Sequence, residues 1–228
     1  MLNRWKTAAA FAGATMATAL STANVCASEA DLVLPNLDIF KLGGVNGAQL
    51  MYVGIVVCLI GGLFGIWQYF QTDKLPVHKS MGDVSNIIWE TCKSYLAQQG
   101  KFLAILWVLI AICMIYYFGA LQHMSPGNIV VILIASVLGI LGSYGVAWFG
   151  MRLNTFANSR SAFAALRGTP WQALAIPMRS GMSVGLLLIT VELFFMILIL
   201  VAIPAEIRGT CFIGFSIGES LGASALRI

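Results

Sequence analysis

Residues 48–70 of this chain run without one charged side chain, and so do residues 102–121 and 128–150. A helix needs about 20 mainly apolar residues to cross a hydrocarbon core roughly 30 Å thick, and each run is long enough. Two further runs are similar but not free of charge. Residues 182–203 contain Glu192, and residues 210–228 contain Glu219 and Arg227. A soluble fold of this size cannot hide five such runs. Of 228 residues, 59% are hydrophobic and 10% charged, against about 25% charged in an ordinary soluble domain. Too few polar side chains remain to coat a water-facing surface, so the excess apolar surface faces lipid or other membrane helices. The expected fold is all-α: a polytopic transmembrane helix bundle of about five spans, with a signal-like segment before it and one cytoplasmic amphipathic helix within it.

The first residues read as an export signal. Arg4 and Lys6 give a basic start, an Ala-rich apolar stretch follows over 8–20, and Val25 and Ala27 supply the small-x-small pattern of a cleavage site. Residues 1–27 are therefore a signal peptide or an uncleaved signal anchor. Residues 28–47 then form an external segment with little structure of its own, and 48–228 form the transmembrane bundle.

Charge sets the orientation. Residues 71–101 contain Lys74, Lys79, Lys93 and Lys101, and residues 152–181 contain Arg152, Arg160, Arg167 and Arg179 with no acidic residue. The turns near His123 and Glu206 are short and poor in Lys and Arg. Positive-inside bias puts 71–101 and 152–181 in the cytoplasm and the mature amino terminus outside. The membrane expected is the inner, or cell, membrane of a bacterium. Pro126-Gly127 makes a tight hairpin between the second and third spans, and Pro204 ends the fourth. Within 71–101, Val84, Ile87, Ile88, Cys92, Tyr95 and Leu96 recur at helical spacing. The run Ser80-Met81-Gly82-Asp83 resembles a capping box, and Gly100 marks an end or a bend. This amphipathic helix either lies on the membrane surface or extends the second span into the cytoplasm, and extension is the arrangement read here.

Three glycine pairs or stripes recur every fourth residue: Gly214, Gly218 and Gly222; Gly61 and Gly65; Gly181 and Gly185. Such stripes let helix backbones approach closely in lipid, where dispersion drives association. They imply a bundle and no particular activity.

Several chemistries are absent. Lys and Arg form no basic run, so no nucleic-acid partner is expected. Cys26, Cys58, Cys92, Cys113 and Cys211 contain no CxxC pair and read as small buried hydrophobes. His78 and His123 have no ligand at metal-binding spacing, so no metal site is expected within the chain. There is no P-loop, GxSxG or HExxH, and hence no complete enzyme site. The residues that stand out are Glu219, Arg227 and Glu192, candidates for an ion pathway or for coupling. A charge at mid-bilayer costs roughly 3 kcal/mol, so such a residue faces the protein interior, on an ion path or in an interhelical hydrogen bond. Glu219 and Arg227 lie about two helical turns apart and point roughly the same way. Glu219 sits among Gly218, Ser220 and Gly222, on a face suited to packing against another helix.

The stretches Asn158-Ser159-Arg160-Ser161-Ala162-Phe163, Leu166-Arg167-Gly168 and Arg179-Ser180-Gly181-Met182-Ser183-Val184-Gly185-Leu186 resemble the third-to-fourth span region of membrane-bound, ion-pumping (H+ or Na+) inorganic pyrophosphatases. The ending from Phe215 through Gly218-Glu219-Ser220 to Arg227-Ile228 is similar to their fifth span. The resemblance covers roughly residues 48–228, the amino-terminal portion of such a pump. It implies a translocase that couples hydrolysis of magnesium pyrophosphate to movement of H+ or Na+. It also implies Mg2+ as cofactor, pyrophosphate as substrate, the remaining helices of the pump as partners, and a homodimer. The glycine-rich turn and the Lys/Asp motif that hold magnesium pyrophosphate in that family have no counterpart here, so a chain of these residues is expected to be inactive alone. By the same resemblance, Arg227 matches the arginine between hydrolysis and the ion channel, and Glu219 takes the place of an ion-gate carboxylate. The alternative reading is a small complete membrane protein acting as a scaffold or channel subunit. A solute-transporter half would predict an inverted repeat, and none is visible.

Overall fold

The computed structural model describes residues 41–42, 45–168 and 170–226. The signal-like residues 1–27, most of the external segment, Cys26 and Arg227 lie outside that range. The described part begins with a two-residue antiparallel ladder, β1 (Lys41–Leu42) against β2 (Val45–Asn46). Everything after it is helical or a short turn. The helices are α1 (Gly47–Asp73), α2 (Lys79–Tyr116, continuing as a π-helical turn over Tyr117–Leu121), α3 (Pro126–Leu166), α4 (Pro170–Ala202) and α5 (Ala205–Ala225).

Helices α1 to α4 are each long and apolar enough to cross a membrane. Their outward faces suit lipid: Ile60 on α1 and Ile105 on α2 are each more than 60% exposed, as apolar groups are where water is absent. Helix α5 is different. It has 21 residues, includes Glu206, Arg208 and Glu219, and owes its place to the bundle rather than to its own hydropathy. The expected fifth segment is thus a helix, though it starts at Ala205, five residues before the apolar run.

The helices outrun the membrane. Helix α3 has 41 residues and α2 has 38, so at 1.5 Å per residue each is about 60 Å long, twice the hydrocarbon thickness. Nothing in the arginine-bearing sequence after Gly150 stops a helix, since Arg, Ala, Leu and Phe all tolerate one. The expected long connection over 152–181 is therefore corrected: most of it is the end of α3 and the start of α4, and only a short turn at Gly168 (φ +72°) separates them. The amphipathic segment of 71–101 does extend the second span, as one helix with α2. Gly100 neither ends nor bends it into a separate element; it makes room for the Tyr144 ring.

Two local readings fail. The helix starts at Lys79 after His78, with no side-chain cap, so the run over 80–83 is not a capping box. The bundle-facing side of the amphipathic stretch is Ser85, Trp89 and Leu96, while Val84, Ile87 and Ile88 stay exposed. Polar and aromatic contacts decide this choice. Ser85 Oγ donates to the Thr155 carbonyl at 3.0 Å, and Trp89 meets Trp148 edge-on and the Arg152 guanidinium at 4.9 Å.

Helix α3 lies at the centre, against α1, α2, α4 and α5, with its most extensive interface on α5. The Gly214–Gly218–Gly222 stripe makes that interface. A methyl group at Gly218 would overlap the Ser136 carbonyl, and one at Gly214 would sit 2.7 Å from the Ile132 oxygen. Gly139 returns the fit from α3, against the Phe215 carbonyl and the Glu219 amide. Gly61 and Gly65 serve α1 against Thr190 and Ser183 of α4 in the same way. Gly181 and Gly185 do not: a methyl at either would meet nothing within 4 Å among the described residues. Of the described cysteines, Cys58 and Cys211 are buried, Cys92 is half-buried, and Cys113 is exposed, contrary to the reading of all as buried.

Pro177 lies inside α4. A proline there cannot donate to the carbonyl four residues back, Ala173. That carbonyl is taken instead by the Ser161 hydroxyl of α3 at 2.7 Å, so the break costs no buried hydrogen bond.

Candidate functional site

Glu192 on α4 and Glu219 on α5 are brought together. Their side chains line one small cleft with Gly139 and Ser143 of α3, Phe195 of α4 and Phe215 of α5. A carboxylate only accepts hydrogen bonds, so a bond between two carboxyl groups requires a proton on one of them. The cleft beside it has a volume of about 10 Å³, close to the least that holds one water.

The small residues of α3 create this juxtaposition. Because neither Gly139 nor Gly218 carries a side chain, α5 presses onto α3 until backbone meets backbone, which draws Glu219 inward. Ser143 Oγ donates to the Glu219 carbonyl at 3.0 Å and fixes the register. A band of polar bonds holds α2 to the same part of α3. The Tyr144 hydroxyl donates to the Leu96 carbonyl at 3.0 Å, and Trp107 Nε1 donates to Ser136 Oγ at 3.2 Å. On the far side, Ser183 Oγ donates to the Gly65 carbonyl at 2.8 Å, tying α4 to α1. Glu192 and Glu219 are each half-buried in this arrangement.

Of the three residues singled out from sequence, two are brought together and the third, Arg227, lies outside the described residues. Sequence reasoning passed over Ser143, Phe195 and Phe215. The signal for Ser143 was present, in the run Gly139-Ile140-Leu141-Gly142-Ser143-Tyr144-Gly145 on the third span: small residues at helical spacing opposite another glycine stripe mark a close crossing. Among the described residues no group of three or more His, Cys, Asp or Glu side chains is placed to hold a metal ion. The donor set a magnesium site would need is not found among them.

Bundle and site together define a polytopic integral membrane protein with a protonatable carboxyl pair inside it. A family model described as inorganic H+ pyrophosphatase matches residues 56–228, and the chain belongs to that family. It is 60% identical over 175 residues to a K(+)-insensitive pyrophosphate-energized proton pump of Chlorobaculum tepidum, an alignment covering 77% of this chain and 23% of that protein. It is 25% identical over 150 residues to a pump of the same description from Pyrobaculum aerophilum, covering 65% of this chain and 20% of that protein. The chain thus spans about a quarter of the length of the curated relatives it matches. No solved structure matches it.

Proposed function

We propose that this chain is the amino-terminal bundle of a membrane pump that couples hydrolysis of pyrophosphate to phosphate with translocation of a cation, and that the cation is H+ and not Na+. The observation that carries the proposal is the Glu192–Glu219 pair. Two carboxyl groups lining one cleft between helices can share a proton as a hydrogen bond, and a cleft of about 10 Å³ has no coordinating shell of oxygens suited to a larger cation. The matched relatives are named as proton pumps, which supports the same choice.

The chain's own residues supply one part of such a cycle. Glu192 and Glu219 sit on different helices, so a shift of α5 against α4 would part them. A carboxyl group parted from its partner must find another acceptor for its proton or keep the proton itself, because a lone carboxylate at mid-bilayer costs roughly 3 kcal/mol. Movement of α5 and movement of the proton are then one event. Arg227, two residues beyond the end of α5 in the sequence, is proposed as the link to the hydrolytic site. Magnesium, when bound in the whole protein, would neutralise the phosphates of the substrate through residues beyond this chain. We propose the cell membrane of a bacterium as its location, with 71–101 and 152–181 in the cytoplasm, and a homodimer as the assembly.

The test joins this chain to the remaining three-quarters of the Chlorobaculum tepidum pump and assays inverted vesicles for pyrophosphate-driven acidification. Quenching of a pH-sensitive acridine dye is expected with the wild-type chain and is expected to vanish with Glu219→Gln, which keeps a hydrogen-bonding side chain of the same size but cannot release a proton. Full acidification with Glu219→Gln would sink the proton-path role. Pyrophosphate cleavage by chain 1–228 alone would overturn the placement of the hydrolytic site elsewhere.

A further inference from the structure

Three arginines converge at the end of the bundle opposite the His123 and Glu206 turns. Arg160 and Arg167 come from α3 and Arg179 from α4. They line a cavity of about 190 Å³ closed by Leu75 of the α1–α2 turn, Phe163 of α3 and Trp171 of α4. Arg160 forms the floor. Its side chain is only 10% exposed and pairs with Asp73 at 3.0 Å. It also donates to the Asp73 carbonyl at 2.6 Å and the Phe156 carbonyl at 3.1 Å. Its buried Nε–H has no partner among the described residues. Arg167 lies over the Phe163 ring at 5.5 Å. Neither Arg167 nor Arg179 has a carboxylate within 4.0 Å among the described residues, since the ion pairs found there are Arg160–Asp73 and Lys93–Glu90.

Three guanidinium groups around one small cavity repel each other, and Asp73, already held by Arg160, is one charge against three. Guanidinium forks suit phosphate oxygens, which accept two parallel hydrogen bonds from each. The first turn of α4, which carries Trp171 and Gln172 into the same cavity, adds backbone amides without intrahelical acceptors. The rest of the lining is apolar. Trp171 is 74% exposed on the rim of this cavity, and a tryptophan beside basic groups is the pairing that anchors at lipid headgroups. Basic pockets between helices at a membrane's cytoplasmic face take anionic lipid headgroups.

From this geometry we infer that the Arg160–Arg167–Arg179 cavity binds a phosphate group, and that its source is the headgroup of an anionic lipid seated beside Trp171. The site is distinct from the carboxyl pair and does not depend on the pumping activity.

The test uses purified chain 1–228 in detergent, offered phosphatidylglycerol or phosphatidylcholine, with retained lipid counted by native mass spectrometry. The wild-type chain is expected to retain phosphatidylglycerol on the order of tenfold more strongly than phosphatidylcholine. Arg167→Gln with Arg179→Gln is expected to abolish that preference, and Arg167→Lys with Arg179→Lys to keep most of it. Both positions are exposed, so far-UV circular dichroism should show the wild-type helix content in each variant; if the double Gln variant does not fold, Arg179→Gln alone serves, with a partial loss expected. Unchanged phosphatidylglycerol preference in a folded Gln variant overturns the inference. Orthophosphate is the second arm. If orthophosphate raises the melting temperature of the wild type but not of the Gln variant, while the two lipids are retained equally, the ligand is free phosphate and the lipid source is overturned. No response to either ligand overturns the site.

Discussion

At the scale of single residues, this chain shows how a membrane helix accommodates groups that lipid cannot solvate. Its small hydroxyl side chains bond backbone carbonyls of neighbouring helices. Ser183 takes the Gly65 carbonyl and Ser143 the Glu219 carbonyl. Ser161 takes the carbonyl that Pro177 leaves free. The last case gives a sharp prediction. Ser161→Ala would strand the Ala173 oxygen at a helix break and should lower stability by about 1 kcal/mol. Thermal melting of the detergent-solubilised chain would measure this. The same substitution in a Pro177→Ala background should have a smaller effect, because an alanine there restores the intrahelical donor. The carboxyl pair was only half legible at this scale. Glu192 and Glu219 announced themselves as charges inside apolar runs, but nothing in the sequence fixes how α4 and α5 are offset along the membrane normal. Periodicity assigns a residue to a face of its own helix and says nothing of its height against the neighbour.

At the scale of elements, the apolar runs located the helices and misjudged their ends. A hydropathy run stops where the lipid stops, whereas a helix stops where its backbone is broken. Between Gly150 and Leu166 polar residues and two arginines enter the sequence but neither glycine nor proline does, so α3 continues. Glycine stripes were legible in the same partial way. Spacing every fourth residue describes Gly214–Gly218–Gly222 and Gly181–Gly185 equally well, yet the first is pressed against α3 and the second faces away from the described residues. Substitution should separate them. Gly218→Val, which drives a branched side chain into the Ser136 backbone, should cost about 3 kcal/mol or more and loosen α5. Gly185→Ala meets no obstruction and should raise stability by up to about 1 kcal/mol through helix propensity. Reversible unfolding in mixed micelles would give both values, and equal effects would contradict the assignment of the two faces.

At the scale of the whole molecule, the positive-inside reading and the helix lengths combine into a single picture of a bundle that projects from one side of the membrane. Helices α2 and α3 both overshoot the hydrocarbon core, and the overshoot carries Lys79, Lys93, Lys101, Arg152 and Arg160. The proposed orientation puts that end in the cytoplasm. In a cysteine-free background, Leu166→Cys at the projecting end should react with a membrane-impermeant maleimide only in inside-out vesicles. Gln122→Cys, in the opposite turn, should react only in right-side-out vesicles. The reverse pattern would turn the molecule over.

Helix α3 contains no proline after its first residue and runs unbroken over 41 residues. One end of this rod bears Arg160; its middle bears Gly139 and Ser143, in direct touch with the backbone of Glu219. A displacement of this helix along its axis would reach Glu219 through the Ser143 hydrogen bond. The glycine stripe of α5 presents no knobs to block it, so the contact between α3 and α5 is a slide bearing with Ser143 as its catch. In such an arrangement, a long helix beside a smooth surface would join the two ends of the bundle without a relay of side chains.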